Sequence, residues 1–127
     1  MADSERRRRG AETMQKVYAG EIPVPPPGAS AFADLMLEQL FAEVWTREAL
    51  SVRDRRLVLI GIIAALGEKE VFQLQLRSAL RNRELTPAQA REILITIASY
   101  AGYPRAAGLV TASEQTIAAF EQQGAAG

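Results

Sequence analysis

The stretch VFQLQLRSALRNRELTP, residues 71–87, holds an amide where helical geometry asks for an apolar side chain. Wound at about 100° per residue, Val71, Phe72, Leu74, Leu76, Ala79 and Leu80 fill one broad arc, and Gln75 falls inside it. An amide aimed into an apolar environment can donate a hydrogen bond to a developing oxyanion. It cannot shuttle a proton, because it has no useful pKa. The other reading is a buried Gln whose amide pairs with backbone or with a neighbouring polar side chain.

Four further sets of residues have types suited to chemistry. Glu38 and Glu43 flank the apolar stripe of an earlier helix, and a carboxylate raised in pKa by burial serves as acid or base. A surface Glu pairing with Arg47 or Arg53 is the plainer alternative. Arg47, Arg53, Arg55 and Arg56 cluster around a helix start. A guanidinium fork fits a substrate carboxylate, and Arg55, one turn before Val58, is the member expected to meet one; salt bridges between helices or subunits are the alternative. Trp45 and Tyr100 each combine a large ring with one polar handle. Trp45 suits core packing or a pocket wall, and Tyr100, beside Gly102, has a hydroxyl able to donate a proton. Arg6 to Arg9 can grip phosphates, but no aromatics are interleaved for base stacking, so a solvated or interface-bound helix is expected.

Composition narrows the chemistry. The 127 residues suit a single domain. The chain contains no Cys, so disulfides, zinc–thiolate sites and Cys nucleophiles are excluded. It contains no His, the commonest general base and metal ligand. A formal net charge of zero argues against a nucleic-acid binder. No apolar run reaches about 18 residues, and no apolar segment follows MADSERRRRG, so neither a membrane span nor a secretion signal is expected. The default compartment is the cytoplasm.

Helical spacing dominates the elements that must position these residues. Residues 3–18 read as a charged helix docking through Met14, Val17 and Tyr18, within an N-terminal segment 1–20. The prolines of EIPVPPPG make 21–29 an extended connector. The main helical domain is expected over 30–123, with a frayed tail at 124–127. Ser30 can cap a helix carrying Leu37, Leu40, Phe41 and Val44 at i, i+3, i+4, i+7. Ser51 starts another, whose body LVLIGIIAAL, 57–66, is apolar all round, as in a bundle centre or an oligomer interface, and Gly67 ends it. After the Gln75 helix, Thr86-Pro87-Ala88-Gln89 is a strong start signal. Ile93, Leu94, Ile97, Ala98 and Ala101 form that helix's buried stripe, Gly102 stops it, and Pro104 opens a last helix. The fold class is all-α, with about six helices.

Three blocks in this order, RRRRGAETMQKVYAG, FAEVWTREALSVRDRRLVLIGIIAALG and LRSALRNRELTPAQAREILITIASYAGYPRAAG, make the chain resemble the carboxymuconolactone decarboxylase family of the AhpD-like superfamily. The resemblance covers roughly residues 6–110. It implies that the position of Gln75 usually holds His, in a pattern like H-x-R-x-A-L, of which Arg77, Ala79 and Leu80 remain. The residue matching Ala101 is often Cys. The thiol-peroxidase branch of the superfamily places a C-x-x-C-x-x-x-H run at Glu68, Val71 and Gln75, with an upstream acid near Arg56. Every member of that relay is missing, so thiol peroxidase activity of that type is excluded.

The function implied is a cofactor-free and metal-free decarboxylase, lyase or isomerase. Its substrate would be a small carboxylated or lactone-like metabolite of aromatic or polyketide metabolism. Glu38, Glu43 and Tyr100 are the expected catalytic groups; Gln75, Arg55, Arg47 and Trp45 are the expected substrate contacts. The alternative is a non-catalytic ligand-binding or assembly protein that keeps the fold. The resemblance also implies a homotrimer or homohexamer, with no nucleic acid or membrane as partner.

Overall fold

The computed structural model describes residues 4–126, with side chains through Gly124. As expected for an all-α chain, these residues form six helices and no strand. They are α1 (Glu5–Val17), α2 (Ala31–Leu35, continuing as a π-helix over Met36–Val44), α3 (Val52–Leu66), α4 (Lys69–Arg81), α5 (Pro87–Ala101) and α6 (Tyr103–Ala126). No helix among them is long and apolar enough to cross a membrane. The chain falls into two compact units that divide between Val52 and Arg53.

In the first unit, Ser4 caps α1 by accepting from Arg7 N–H, and Met14 and Val17 are buried on its docking edge with Tyr18 half-buried. Residues 21–30 contain no helix or strand, in keeping with their prolines. The basic run is less solvated than its composition suggests. Arg7 is buried; its Nε donates to Asp34 Oδ1 at 2.8 Å and its Nη2 to the Pro25 carbonyl at 2.7 Å. Arg6 reaches the carboxylate of Glu43 at 3.0 Å, and Arg9 lies 3.6 Å from Glu5, one turn away. The second helix keeps its Ser30 cap, which accepts from Ala33 N–H at 3.0 Å.

Beyond Leu35 the backbone widens. Trp45 N–H bonds to the Leu40 carbonyl, five residues back, at 3.0 Å. This widening changes which side chains face inward. Leu37, Phe41 and Trp45 are buried at a spacing of four, whereas Leu40, expected in a 3.6-residue stripe, is exposed and Val44 is only half-buried. Phe41 stacks on Trp45 with ring centroids 6.5 Å apart, and Tyr18 meets Phe41 edge-on at 5.7 Å.

In the second unit, α6 packs on both α4 and α5. The core is built from Ile60, Ile63 and Ala64 of α3, Phe72, Leu76, Ala79 and Leu80 of α4, Ala90 and Leu94 of α5, and Leu109 and Ile117 of α6. Leu85, on the turn between α4 and α5, anchors that turn into the core. Gly67 closes α3 at φ +75°. Thr86 and Gln89 form the expected reciprocal capping pair, with Pro87 at the first helical position. Helix α6 continues to Ala126, into the stretch where the sequence suggested fraying.

Candidate functional site

The apolar run of α3 does not reveal by itself which face turns inward, since every azimuth is greasy. The structure settles it. Ile60, Ile63 and Ala64 are buried, and one turn before Ile60 the same face carries Arg56, with no exposed side-chain surface. Arg55, the cation expected to meet an anion, sits one step round the helix and is half-buried.

A fully buried guanidinium requires partners, and Arg56 has them on two sides. Its Nε donates to Glu84 Oε1 at 2.9 Å and its Nη2 to Glu84 Oε2 at 3.1 Å, a fork-to-fork pair. Its Nη1 donates to Gln75 Oε1 at 2.7 Å. Gln75 is 1% exposed. The orientation of its amide is determined by chemistry as well as by fit. Arginine only donates, so the atom it touches must be the amide oxygen. The Gln75 amide nitrogen therefore faces away from Arg56 with both protons, and no partner for it appears among the described residues.

Glu84 is the outermost member of this network, its side chain 9% exposed. It lies on the turn between α4 and α5, where Asn82 Nδ2 approaches Oε2 at 3.3 Å and Arg53 Nε donates to the Glu84 carbonyl at 2.9 Å. The preceding residue, Arg83, has φ +58°, a left-handed conformation uncommon for side chains with a Cβ. One turn along α4 from Gln75, Ser78 is fully buried and its hydroxyl has no hydrogen-bond partner.

The remaining expected residues lie in different settings. In the first unit, Glu43 is exposed and paired with Arg6. Glu38 is half-buried, and its carbonyl accepts from Arg6 Nε at 2.7 Å. Arg47 is exposed, and Trp45 is buried on Phe41. In the second unit, Tyr100 is 92% exposed on α5. Of the expected residues in that unit, Gln75 is the one that joins the Arg56 network.

Two features were not expected from the sequence. Glu84 escaped notice because it stands in a turn, outside any periodic face; its adjacency to the inward-facing Leu85 was the available signal. The other is a cleft of ≈ 370 Å³ between α5 and α6, floored by Leu94, Ala98, Ala106 and Val110. At its rim Arg91 grips Glu114 with bonds of 2.9–3.3 Å. That mutual hydrogen bonding holds the Glu114 carboxyl below its ordinary pKa and pushes Arg91 above its own.

Comparison with known proteins accords with this geometry. Residues 30–115, more than half of the chain, match the carboxymuconolactone decarboxylase family. A 4-carboxymuconolactone decarboxylase of Acinetobacter baylyi is 30% identical over 73 residues, covering 58% of this chain and 54% of the relative, so the chain spans about half of that protein's length. A nitrosuccinic acid decarboxylase of Metarhizium robertsii is 28% identical over 110 residues, covering 85% of this chain and 72% of the relative. The match extends from the Ser30 cap through α5 and well into α6 and takes in the whole Arg56–Gln75–Glu84 network; the chain belongs to the carboxymuconolactone decarboxylase family.

Proposed function

We propose that the protein is a decarboxylase of small carboxylated metabolites that stabilises an oxyanion through the Gln75 amide and uses no organic cofactor. The observation that carries the reading is the 2.7 Å bond from Arg56 to the Gln75 oxygen, which leaves two amide protons directed elsewhere from a buried, fixed side chain. The substrates in the two relatives' names, 4-carboxymuconolactone and nitrosuccinic acid, share one feature. Each is a carboxylic acid with a second group, lactone or nitro, able to hold an electron pair.

Loss of CO2 from such an acid breaks one C–C bond and leaves its electron pair on the molecule. The pair spreads onto the lactone or nitro oxygen, and one proton must then reach carbon. A preorganised donor at that oxygen lowers the barrier because it costs no reorganisation at the moment of reaction. Gln75 fits that role, and Arg56 acts through it as a positioning residue, itself held by Glu84. Neither an amide nor a guanidinium delivers a proton at neutral pH, so the proton comes from water or from a hydroxyl. Tyr100 can supply it only where another copy of the chain covers its exposed ring. Glu38, Glu43, Arg47, Trp45 and Arg55 remain proposed pocket residues for an assembled homotrimer or homohexamer.

The test is CO2 release from nitrosuccinate and from 4-carboxymuconolactone by the purified protein. Gln75→Leu should lower kcat by about 10²–10³-fold, the scale of losing one oxyanion donor, while helical content is retained. No release above the spontaneous rate from either acid would overturn the reading. A second reading is favoured by one observation: Arg56 satisfies both the Gln75 oxygen and the Glu84 carboxylate, which leaves no free acid or base in the network. A ligand-binding protein without turnover has that composition, and saturable binding of these acids without CO2 release would identify it.

A further inference from the structure

Arg56 is a buried cation whose fork is filled by a carboxylate from its own chain. We infer that Glu84 is a displaceable stand-in: the Arg56 guanidinium is the seat for the carboxylate of a small acid that also bears a second hydrogen-bond-accepting oxygen group, and Glu84 occupies that seat until such an acid arrives. The inference rests on the proposed function for the class of acid, but not on any turnover.

Three observations carry it. The Glu84 pair is bidentate, at 2.9 and 3.1 Å, which is the geometry an incoming carboxylate adopts on a guanidinium fork. Glu84 is also the member best placed to leave. It sits in a turn and not in a helix, retains some exposure while Arg56 has none, and follows a residue in the left-handed region. Finally, the α4 face beside the fork has unfilled hydrogen-bonding capacity. The Gln75 amide nitrogen has no partner among the described residues, and the buried Ser78 hydroxyl, one turn along the same face, has none either. A fully buried hydroxyl without a partner, as at Ser78, is rare in folded proteins. A pair of donors beside a cation is what the second oxygen group of a small acid would satisfy. A purely structural staple would leave the buried Ser78 hydroxyl unexplained.

The experiment uses succinate, which has two carboxylates and no route to easy decarboxylation, titrated calorimetrically into the full chain. Glu84→Gln removes the competing charge while keeping the shape, and should bind succinate at least about tenfold more tightly than the parent. Unchanged or weaker affinity in a folded Glu84→Gln protein overturns the inference. Should that variant fail to fold, hydrogen exchange on the parent decides. The turn is held by Arg83 N–H to the Leu80 carbonyl at 3.1 Å and Glu84 N–H to the Ala79 carbonyl at 2.8 Å. Saturating succinate should speed exchange at these amides, and unchanged rates there reject displacement. CO2 release without succinate binding would remove this role for Glu84 while leaving the decarboxylase reading intact. Succinate binding without CO2 release would do the reverse.

Discussion

Gln75 and Arg56 meet at 2.7 Å, and the family resemblance implies a histidine at the position of Gln75 and the upstream acid of a proton relay near Arg56. Here the contact joins a permanent cation to a neutral amide. Restoring His alone therefore does not restore a relay. In Gln75→His the imidazole faces a guanidinium, which disfavours its protonated form. Because the chain has no other His, its titration can be followed by NMR without overlap. The expected pKa lies below the ordinary imidazole value of about 6.5, with little gain in decarboxylation. A value above it would show that Arg56 had moved away. Removing the anion instead strands the cation. Glu84→Ala should cost about 3–5 kcal/mol in chemical denaturation, the scale of breaking a buried pair from one side, and Arg56→Met/Glu84→Ala should recover much of that loss.

At the scale of elements, α1 and the π-helical stretch approach each other at Gly10. A Cβ at that position would collide with the Leu37 carbonyl oxygen, a backbone atom with no rotamer to escape into. Gly10→Ala should therefore destabilise the first unit by about 1–3 kcal/mol as an overpacking change, read as a lower urea midpoint. The Arg7–Asp34 pair gives the same unit a pH dependence. Its hydrogen bond to Arg7 holds the Asp34 carboxyl below its ordinary pKa, opposed by desolvation. That stabilisation is fully present above the unfolded Asp value of about 3.9 and is lost as pH falls through the lower folded value. Urea midpoints measured from pH 6 down to pH 3 should fall for the parent, and fall less steeply for Asp34→Asn.

The same elements show how far the sequence could be read. Caps and stops at Ser30, Gly67, Thr86–Gln89 and Gly102 were legible because each rests on local backbone chemistry. The inward turn of Gln75 was legible from its azimuth. The π-helix was not, because a widened turn depends on tertiary packing, and it moved Leu40 out of the stripe and Trp45 into it. That Arg56, and not Arg55, is the fully buried member of the arginine cluster was not legible for a related reason. An apolar run gives no inward direction, and the reference residue Val58, from which Arg55 was counted back, is itself more than half exposed.

For the whole molecule, the informative feature is what α3 leaves uncovered. Val58, Ile62 and Leu66 are each more than half exposed and recur every four residues along one side of the helix. We propose this apolar stripe as an association surface, in which a placed charge should disrupt assembly. Ile62→Lys is expected to shift the light-scattering mass towards 13.9 kDa, the mass of one chain, while the parent stays larger. A parent that already scatters as a single chain would remove this surface from consideration.

If copies of the chain cover that stripe for one another, heat resistance becomes a matter of mass action. Thinning the solution would then act as a denaturant. The melting temperature should climb with each tenfold rise in protein concentration, and Ile62→Lys should flatten that climb.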